Sequence, residues 1–142
     1  GGQIRDWLHV DDHAEALWRV LQQGEIGGTY NIGGDAERTN LQVVDALCDA
    51  LDERGGQRAG GPQSHRDLIR FVTDRPGHDR RYAIDSRRIQ HELGWRPAHS
   101  FETGLRETIQ WYIDHPEWVQ RVQSGAYREW IEANYAERAI RH

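Results

Sequence analysis

The chain has 142 residues, about one domain in length, with 37% hydrophobic residues, 29% charged residues and a formal net charge of -5. No segment approaches the roughly 20 consecutive apolar residues of a membrane-spanning helix. The negative charge argues against general nucleic-acid binding, and the 6 tryptophans, 5 tyrosines and 2 phenylalanines argue against disorder. We therefore expect a folded, cytoplasmic protein that binds neither nucleic acid nor membranes.

The residue types that are missing exclude several kinds of chemistry. Cys48 is the single cysteine and lies in an apolar run, so it forms neither an internal disulfide nor a multi-thiolate metal site, and we expect a buried thiol. All 18 basic residues are arginine, which excludes a lysine general base and a Schiff base on this chain. The chain has no methionine and begins at Gly1, so we expect a fragment or a processed form of a longer protein.

The first 24 residues predict a strand followed by a helix. The segment from Gln3 to Val10 has the apolar spacing of a strand. Asp12, with Glu15 three residues later, has the spacing of a capping box for a helix that ends at Gly24. One face of that helix carries Leu17, Trp18 and Leu21.

A second strand and helix follow. The segment from Thr29 to Ile32 predicts a short strand, and the Gly33-Gly34 pair after it predicts a turn. Thr39 and Gln42 have capping-box spacing for a helix that ends near Gly55. Residues 55–65 are rich in glycine and polar residues, which indicates a surface loop.

The next segment holds the most distinctive hexapeptide of the chain. Leu68 to Val72 predicts a strand that runs into the sequence Asp74-Arg75-Pro76-Gly77-His78-Asp79. Because the proline fixes one backbone angle and the glycine frees the next, a tight bend should present the arginine and the histidine just beyond a strand end. Such a bend is able to clamp a diphosphate, although a Pro-Gly turn with solvated charges explains the same residues.

The C-terminal part predicts helices. Asp85-Ser86 caps a short helix closed by Gly94, Ser100 begins a longer one ended by Pro116, and residues 117–142 have helical spacing. Strands alternating with capped helices predict an α/β fold with a small sheet plus helices, an incomplete Rossmann-type arrangement.

Dinucleotide, metal and nucleophile signals are weak. None of the Gly-Gly pairs has the Gly-x-Gly-x-x-Gly spacing of a dinucleotide-binding loop. The pair His9 and His13 straddles the predicted boundary between strand and helix, so we expect no metal site. The adjacent Ser64 and His65 lie outside any nucleophile-elbow motif.

Four segments together resemble one family, the dTDP-glucose 4,6-dehydratases of the extended short-chain dehydrogenases. They are Arg-Asp-Trp-Leu-His-Val-Asp-Asp-His at 5–13, Tyr-Asn-Ile-Gly-Gly at 30–34, Asp-Arg-Pro-Gly-His-Asp-Arg-Arg-Tyr-Ala-Ile-Asp at 74–85 and Glu-Leu-Gly-Trp-Arg-Pro at 92–97. The first two also resemble nucleotide-sugar epimerases and decarboxylases, whereas the third is more particular to the dehydratases. The resemblance implies that residues 1–142 are the C-terminal nucleotide-sugar-binding part, the substrate-binding lobe, of such an enzyme.

Site residues follow from this resemblance. It implies substrate binding by Arg5, Asn40 and the turn Asp74, Arg75, Pro76, Gly77 and His78, with the diphosphate of a dTDP-sugar as the bound group. It assigns no catalytic residue to this chain. Trp7, Tyr30 and Trp95 are expected in the core.

The resemblance also implies what this chain lacks. The NAD-binding Rossmann domain, with its glycine fingerprint, and the Tyr-x-x-x-Lys pair of the family lie upstream of these motifs. We therefore expect NAD to be the cofactor of the full-length enzyme and this chain alone to be inactive. Its expected partners are the dTDP-sugar, the NAD-binding half and further copies in a homo-oligomer. The alternative is a stand-alone nucleotide-sugar-binding or interaction module derived from the family.

Exposed apolar surface is a further expectation. Without an NAD-binding half, the strand Thr29 to Ile32 would be an open edge and the face of the first helix would lose packing partners. We expect the chain alone to self-associate or to be only marginally stable.

Overall fold

A computed structural model of the chain describes residues 1–55, 63–72, 74 and 76–125. The chain divides into two compact units, Gly1–Glu107 and Thr108–His142. The predicted helix over residues 117–142 is confirmed as far as Gln123, and its continuation past residue 125 lies outside the described residues. Most of the predicted loop over residues 55–65 lies outside them as well.

The elements of the described residues confirm an α/β fold with a small sheet. In chain order they are β1 (Ile4–Asp6), α1 (Val10–Gln23), β2 (Glu37–Thr39), α2 (Asn40–Asp52), a 3-10 turn (His65–Leu68), α3 (Arg87–Leu93), α4 (Phe101–Asp114) and α5 (Pro116–Gln123). The boundary between the two compact units falls within α4.

The sheet is built around Ile4. Strands β1 and β2 are antiparallel, with Ile4 opposite Thr39 and Arg5 opposite Arg38. On its other side, the Ile4 amide donates to the Arg80 carbonyl over 2.8 Å, and the Tyr82 amide donates to the Ile4 carbonyl over 3.0 Å. The segment that follows the Pro-Gly turn is thereby bonded directly to β1.

Two of the predicted strands are wrong, and the first is shorter than predicted. Residues 29–32 form no strand, because Tyr30 and Ile32 contribute to the first unit through side-chain packing rather than through a backbone ladder. The predicted strand Leu68–Val72 begins in the 3-10 turn and continues without regular structure, with Val72 87% exposed. The second strand lies instead at Glu37–Thr39, a segment expected to precede a helix cap.

Several predicted helix ends are confirmed. Thr39 and Gln42 form a complete capping box at the start of α2. The Ser100 hydroxyl accepts a hydrogen bond from the Thr103 amide over 3.2 Å at the start of α4. Gly94 ends α3 with a φ of 63°, the left-handed conformation that glycine adopts without strain. At α3 the predicted Asp85-Ser86 cap is confirmed at Asp85, which accepts the Arg87 amide over 3.1 Å, whereas the Ser86 side chain makes no capping hydrogen bond.

Asp12 has a different role from the predicted cap. The helix α1 starts at Val10, and Asp12 is a buried carboxylate that accepts hydrogen bonds from the amides of Ala98 and His99 at 3.1 and 3.0 Å. Its Oδ1 also contacts His99 Nδ1 at 3.0 Å, and His99 Nε2 lies 3.2 Å from Glu107. Asp12 therefore joins the start of α1 to the loop before α4.

The core of the first unit lies between α1 and α3. Its buried side chains are Ala16, Ile89, Leu93 and Trp95, with Leu8, Val20, Tyr30 and Ile32 packed against them. The predicted burial of Cys48 and Trp95 is confirmed, whereas Trp7 is 38% exposed and the prediction of a core role is wrong. The exposed apolar face of α1 is confirmed, with Leu17, Trp18 and Leu21 54%, 58% and 76% exposed, while self-association stays a prediction.

A carboxylate joins the end of α2 to the 3-10 turn. Asp52 accepts hydrogen bonds from the Ser64 hydroxyl over 2.6 Å and from the His65 amide over 3.0 Å, and it also contacts the His65 ring. These hydrogen bonds, led by that of Ser64, lower the pKa of Asp52 to about 2. Ser64, His65 and Asp52 thus form a structural contact, which we call the Asp52 clasp. It holds the start of the 3-10 turn against the end of α2, so the two ends of the segment 53–63 lie close together.

The Gly33-Gly34 pair is explained by close approach rather than by the predicted turn. A Cβ added at Gly34 would lie 2.0 Å from the Trp7 carbonyl oxygen, and one added at Gly33 would lie 2.5 Å from Asp6 Oδ2. Asp6 in turn accepts the amide of Gly34 over 2.9 Å. The chain bends one residue later, at Asp35, which has a φ of 52°.

We predict that Gly34→Ala destabilises the chain. The new methyl group would meet backbone atoms that have no rotamer to change, so the loop must shift, at a cost of about 1–3 kcal/mol or more. Urea denaturation of the purified chain measures this cost. Gly2→Ala is the control, because a Cβ at Gly2 meets nothing within 4 Å and should change stability by less than about 0.5 kcal/mol. Equal effects of the two substitutions would contradict the prediction.

The contact between Asp12 and His99 predicts a pH dependence of stability. The Asp12 hydrogen bond raises the pKa of His99 above 6.5; burial raises the pKa of Asp12, but the bonds from His99 and Ala98 outweigh this and hold it below 3.8. The Asp12–His99 contact therefore stabilises the fold fully between about pH 3.8 and pH 6.5. This stabilisation is lost as the pH rises through the folded-state pKa of His99 or falls through the folded-state pKa of Asp12.

The corresponding measurement is the melting temperature of wild type and His99→Gln between pH 5 and pH 9. We expect wild type to melt higher at pH 5.5, on the order of a few degrees, and the difference to shrink toward pH 9. The exposed His13, changed to Gln, is the control and should give a difference that does not vary in this way. A difference that grows with pH would refute the assignment.

Candidate functional site

The Arg5 side chain is the centre of the candidate site. It projects from β1 and is partly buried. Its Nη1 donates to the Ile4 carbonyl over 2.7 Å, and its Nη2 donates to the Asp79 carbonyl over 3.0 Å and to His78 Nε2 over 2.9 Å. Three of its five N–H groups are thus engaged, and two have no partner among the described residues.

The turn after residue 74 supplies the second part of the site. Gly77 has a φ of 69°, which confirms the tight bend predicted at Pro76-Gly77. His78 Nδ1 lies 2.8 Å from Asp74 Oδ1, and the amide of Gln3 donates to the other oxygen of Asp74. The described residues therefore form a continuous chain of hydrogen bonds from Gln3 through the turn to Arg5.

The aromatic ring of Tyr82 packs against the Arg5 guanidinium. The guanidinium carbon lies 4.4 Å from the centroid of the Tyr82 ring, which is a cation–π contact. The Tyr82 hydroxyl donates to the carboxylate of Asp79, whose carbonyl accepts from Arg5. Tyr82 and Asp79 together fix the plane and the position of the guanidinium.

Asn40 lies at the edge of this site. It is the first residue of α2, and its amide donates to the Gln3 carbonyl over 2.9 Å. The two arginines Arg5 and Arg38 are paired across the strands, so the face of the ribbon that carries Arg5 continues toward Asn40. The structure brings His78 into direct contact with Arg5 and with Asp74, and the Asn40 backbone into contact with Gln3; Arg75 lies outside the described residues.

The charge environment of Arg5 differs from that of Arg81, Arg87 and Arg88. Arg81 pairs with Glu37 at 2.8 Å, Arg87 with Asp85 at 2.5 Å and Arg88 with Glu92 at 3.0 Å. Within the described part of the chain, no carboxylate oxygen lies within 4.0 Å of the Arg5 guanidinium. Its partners are two carbonyls and one imidazole, so its positive charge is held in place without being neutralised.

Two other depressions of the first unit are less suited to a diphosphate. One, about 350 Å³ in volume, is lined by Asp6, Asp35, Glu37, Arg38 and Ile84 and carries three carboxylates against one guanidinium. The other, about 490 Å³, is lined by Asn31, Asp85, Arg87, Arg88 and His91, and both of its arginines are paired with carboxylates.

The described residues provide neither a cluster of metal ligands nor room for a dinucleotide at the Gly33-Gly34 pair. No group of three or more metal-ligating side chains occurs among the described residues. The Gly33-Gly34 pair is filled by the backbone of Trp7 and Leu8, which leaves no space for a dinucleotide diphosphate against it. None of the described helices is both long and apolar enough to span a membrane.

Most of the chain matches a known protein family. The sequence profile described as GDP-mannose 4,6 dehydratase matches residues 1–108. The chain belongs to this family. Residues 1–108 hold β1, the turn at Pro76-Gly77 and the core of the first unit, so the match of this dehydratase family covers the whole candidate site.

Individual relatives give the closer resemblance. The chain is 53% identical over 135 residues to a dTDP-glucose 4,6-dehydratase of Escherichia coli, which covers 95% of this chain and 36% of the relative. It is 52% identical over 128 residues to one of Neisseria meningitidis, covering 90% of this chain and 36% of the relative. The resemblance to dTDP-glucose 4,6-dehydratases is confirmed, and the chain spans about a third of the length of these relatives.

Solved structures of dTDP-glucose 4,6-dehydratases have a fold similar to that of this chain. A dTDP-glucose 4,6-dehydratase of Bacillus anthracis in complex with NAD is 45% identical, with a TM-score of 0.69, over 83% of this chain and 34% of that one. DesIV, a dTDP-glucose 4,6-dehydratase of Streptomyces venezuelae with NAD and TYD bound, is 39% identical, with a TM-score of 0.71, over 83% of this chain and 33% of that one.

The sequence pointed to part of the site and missed the rest. Gln3 belongs to no motif, and only its place beside Asn40 and Asp74 in the fold reveals its contact. Tyr82 and Asp79 occur in the motif that carries the resemblance, but nothing in their spacing predicts that they hold Arg5. An aromatic residue shortly after a loop arginine or histidine is the signal that could have suggested this role.

We predict that the ring of Tyr82, rather than its hydroxyl, fixes the position of the Arg5 guanidinium in this chain. Tyr82→Leu should remove the ring-current shift of the Arg5 side-chain resonances and cost about 0.5–1 kcal/mol of stability. Tyr82→Phe keeps the ring and should keep the shift. Two-dimensional NMR of the Arg5 side chain measures both. Loss of the shift in both variants would contradict the prediction.

Proposed function

We propose that this chain is the nucleotide-sugar-binding part of a dTDP-glucose 4,6-dehydratase, and that Arg5, Asn40 and the turn from Asp74 to His78 form its binding surface. The diphosphate of the dTDP-sugar is the group that Arg5 would bind. The relatives' names and the nucleotide bound to the Streptomyces venezuelae enzyme support the choice of ligand.

The observation that carries the proposal is the state of Arg5. A partly buried guanidinium without a carboxylate partner is costly unless an anion completes it, and Arg5 keeps two N–H groups without partners among the described residues. Oxygen atoms of a diphosphate accept such N–H groups in charge-assisted hydrogen bonds.

The chemical steps belong to the longer enzyme. By family, the enzyme oxidises the glucose C4, eliminates water across C5 and C6 and returns the hydride to C6, with NAD as hydride carrier. By the family resemblance, NAD and the acid/base groups would be held by sequence outside this chain, and the closely packed Gly33-Gly34 pair offers no space for a dinucleotide diphosphate. The part played here is to bind and orient the diphosphate, and the absence of turnover by this chain alone stays a prediction.

A stand-alone binding module is the second candidate function. It shares the same binding surface, so dTDP binding does not distinguish the two. The exposed apolar row on α1 favours the first, since a module that works alone has no reason to leave Trp18 and Leu21 uncovered. An upstream reading frame that encodes a glycine fingerprint and a Tyr-x-x-x-Lys pair would decide for the enzyme.

The proposal is tested by isothermal titration of dTDP into the purified chain. We expect binding that weakens with added salt, and a loss of about tenfold or more for Arg5→Ala, since a charge-assisted hydrogen bond contributes about 1.5–3 kcal/mol. Arg121→Ala, an equal change of charge on α5, is the control and should bind as wild type does. Equal binding by Arg5→Ala and wild type, or no binding at millimolar dTDP, would overturn the proposal.

A further inference from the structure

The donors around His78 determine where its proton lies. An arginine guanidinium has N–H donors and no acceptor, so the 2.9 Å contact from Arg5 Nη2 requires a lone pair on His78 Nε2. The proton of the ring is then on Nδ1, which lies 2.8 Å from Asp74 Oδ1 and donates to it. In this arrangement His78 is neutral and has a single tautomer.

Asp74 and Gln3 hold that tautomer in place. A carboxylate accepts only, so Asp74 Oδ1 fixes the proton on the near ring nitrogen. The Gln3 amide donates to the other oxygen and orients the carboxylate from the strand side. Asp74 is also half exposed and negatively charged, so on the proposed binding surface its role is to hold the imidazole and not to contact the diphosphate itself.

We propose that binding of an anionic diphosphate at Arg5 is coupled to the uptake of one proton by His78, with Asp74 and Gln3 as positioning residues. This rests on the proposed function of the same surface. An anion beside the ring favours the imidazolium, and the new Nε2–H then faces the anion instead of Arg5. The proton comes from solvent, and the Arg5 Nη2 donor released from His78 turns to the same anion.

The described charged groups around His78 act on this balance in opposite directions. Arg5 from β1 opposes protonation in the free state, while Asp74 on the turn favours it. From the segment after the turn, the Asp79 carbonyl faces Arg5 and its carboxylate is engaged by the Tyr82 hydroxyl. His78 is 20% exposed, so bulk solvent reaches the ring and supplies the proton.

The first experiment needs no ligand. Nitrogen-15 NMR of the histidine rings in the free chain, recorded in alkaline buffer, should show His78 with a protonated Nδ1 and an unprotonated Nε2. Asp74→Asn and Gln3→Ala should shift the population toward the Nε2–H tautomer, whereas the exposed His13 should be unaffected in both variants. A wild-type His78 protonated on Nε2 would overturn the inference.

The second experiment measures protons directly. Titration of dTDP at pH 7.5 in buffers of different ionisation enthalpy should show uptake of up to one proton by wild type and by His13→Gln, and none by His78→Gln. Binding by wild type with no uptake, or with an uptake that His78→Gln retains, would overturn the coupling and leave the proposed function standing. No binding by wild type would overturn the proposed function and the coupling, whereas the tautomer of His78 is decided by NMR alone.

Discussion

The candidate site depends on the backbone of β1, which is hydrogen-bonded on both sides. Strand β2 lies along one side of it, and the segment after the Pro-Gly turn lies along the other. Because side chains alternate along a strand, this register places Gln3 and Arg5 on one face and Asp6 on the other. A slip of one residue would exchange the two faces, so that Arg5 would leave His78 and Asp6 would leave the Gly34 amide.

The two faces use charge in opposite ways. Asp6 and the buried Asp12 each accept hydrogen bonds from two backbone amides, which compensate these carboxylates for the water they lose. Arg5 is surrounded by carbonyls and an imidazole, which hold its geometry while its charge remains available. Carboxylates thus join elements of the first unit, whereas the Arg5 guanidinium is held by uncharged groups.

What could be read from the sequence was local. The capping box at Thr39, the Ser100 cap, the Gly94 terminus and the bend at Pro76-Gly77 each depend on residues within three or four positions, and each is confirmed. The sequence could not predict which distant residues form hydrogen bonds with a given side chain. Asp12 had the spacing of a helix cap, yet it accepts hydrogen bonds from residues more than 80 positions away. The same holds for β2, whose residues Glu37 to Thr39 have little strand character and become a strand because β1 lies beside them. Gln3 belongs to this class, since its role exists only where three distant segments meet.

The Asp52 clasp has a consequence for how this chain tolerates changes of length. The segment 53–63 leaves the end of α2 at Asp52 and returns to the same place, because Ser64 and His65 are hydrogen-bonded to Asp52. Its two ends are therefore held together independently of the residues that join them. Closing a longer connection costs only about 0.6 kcal/mol for each doubling of its length. Insertions between positions 53 and 63 should therefore be accepted with small losses of stability, and a fluorescent reporter or an affinity tag placed there would leave the strands around Ile4 undisturbed.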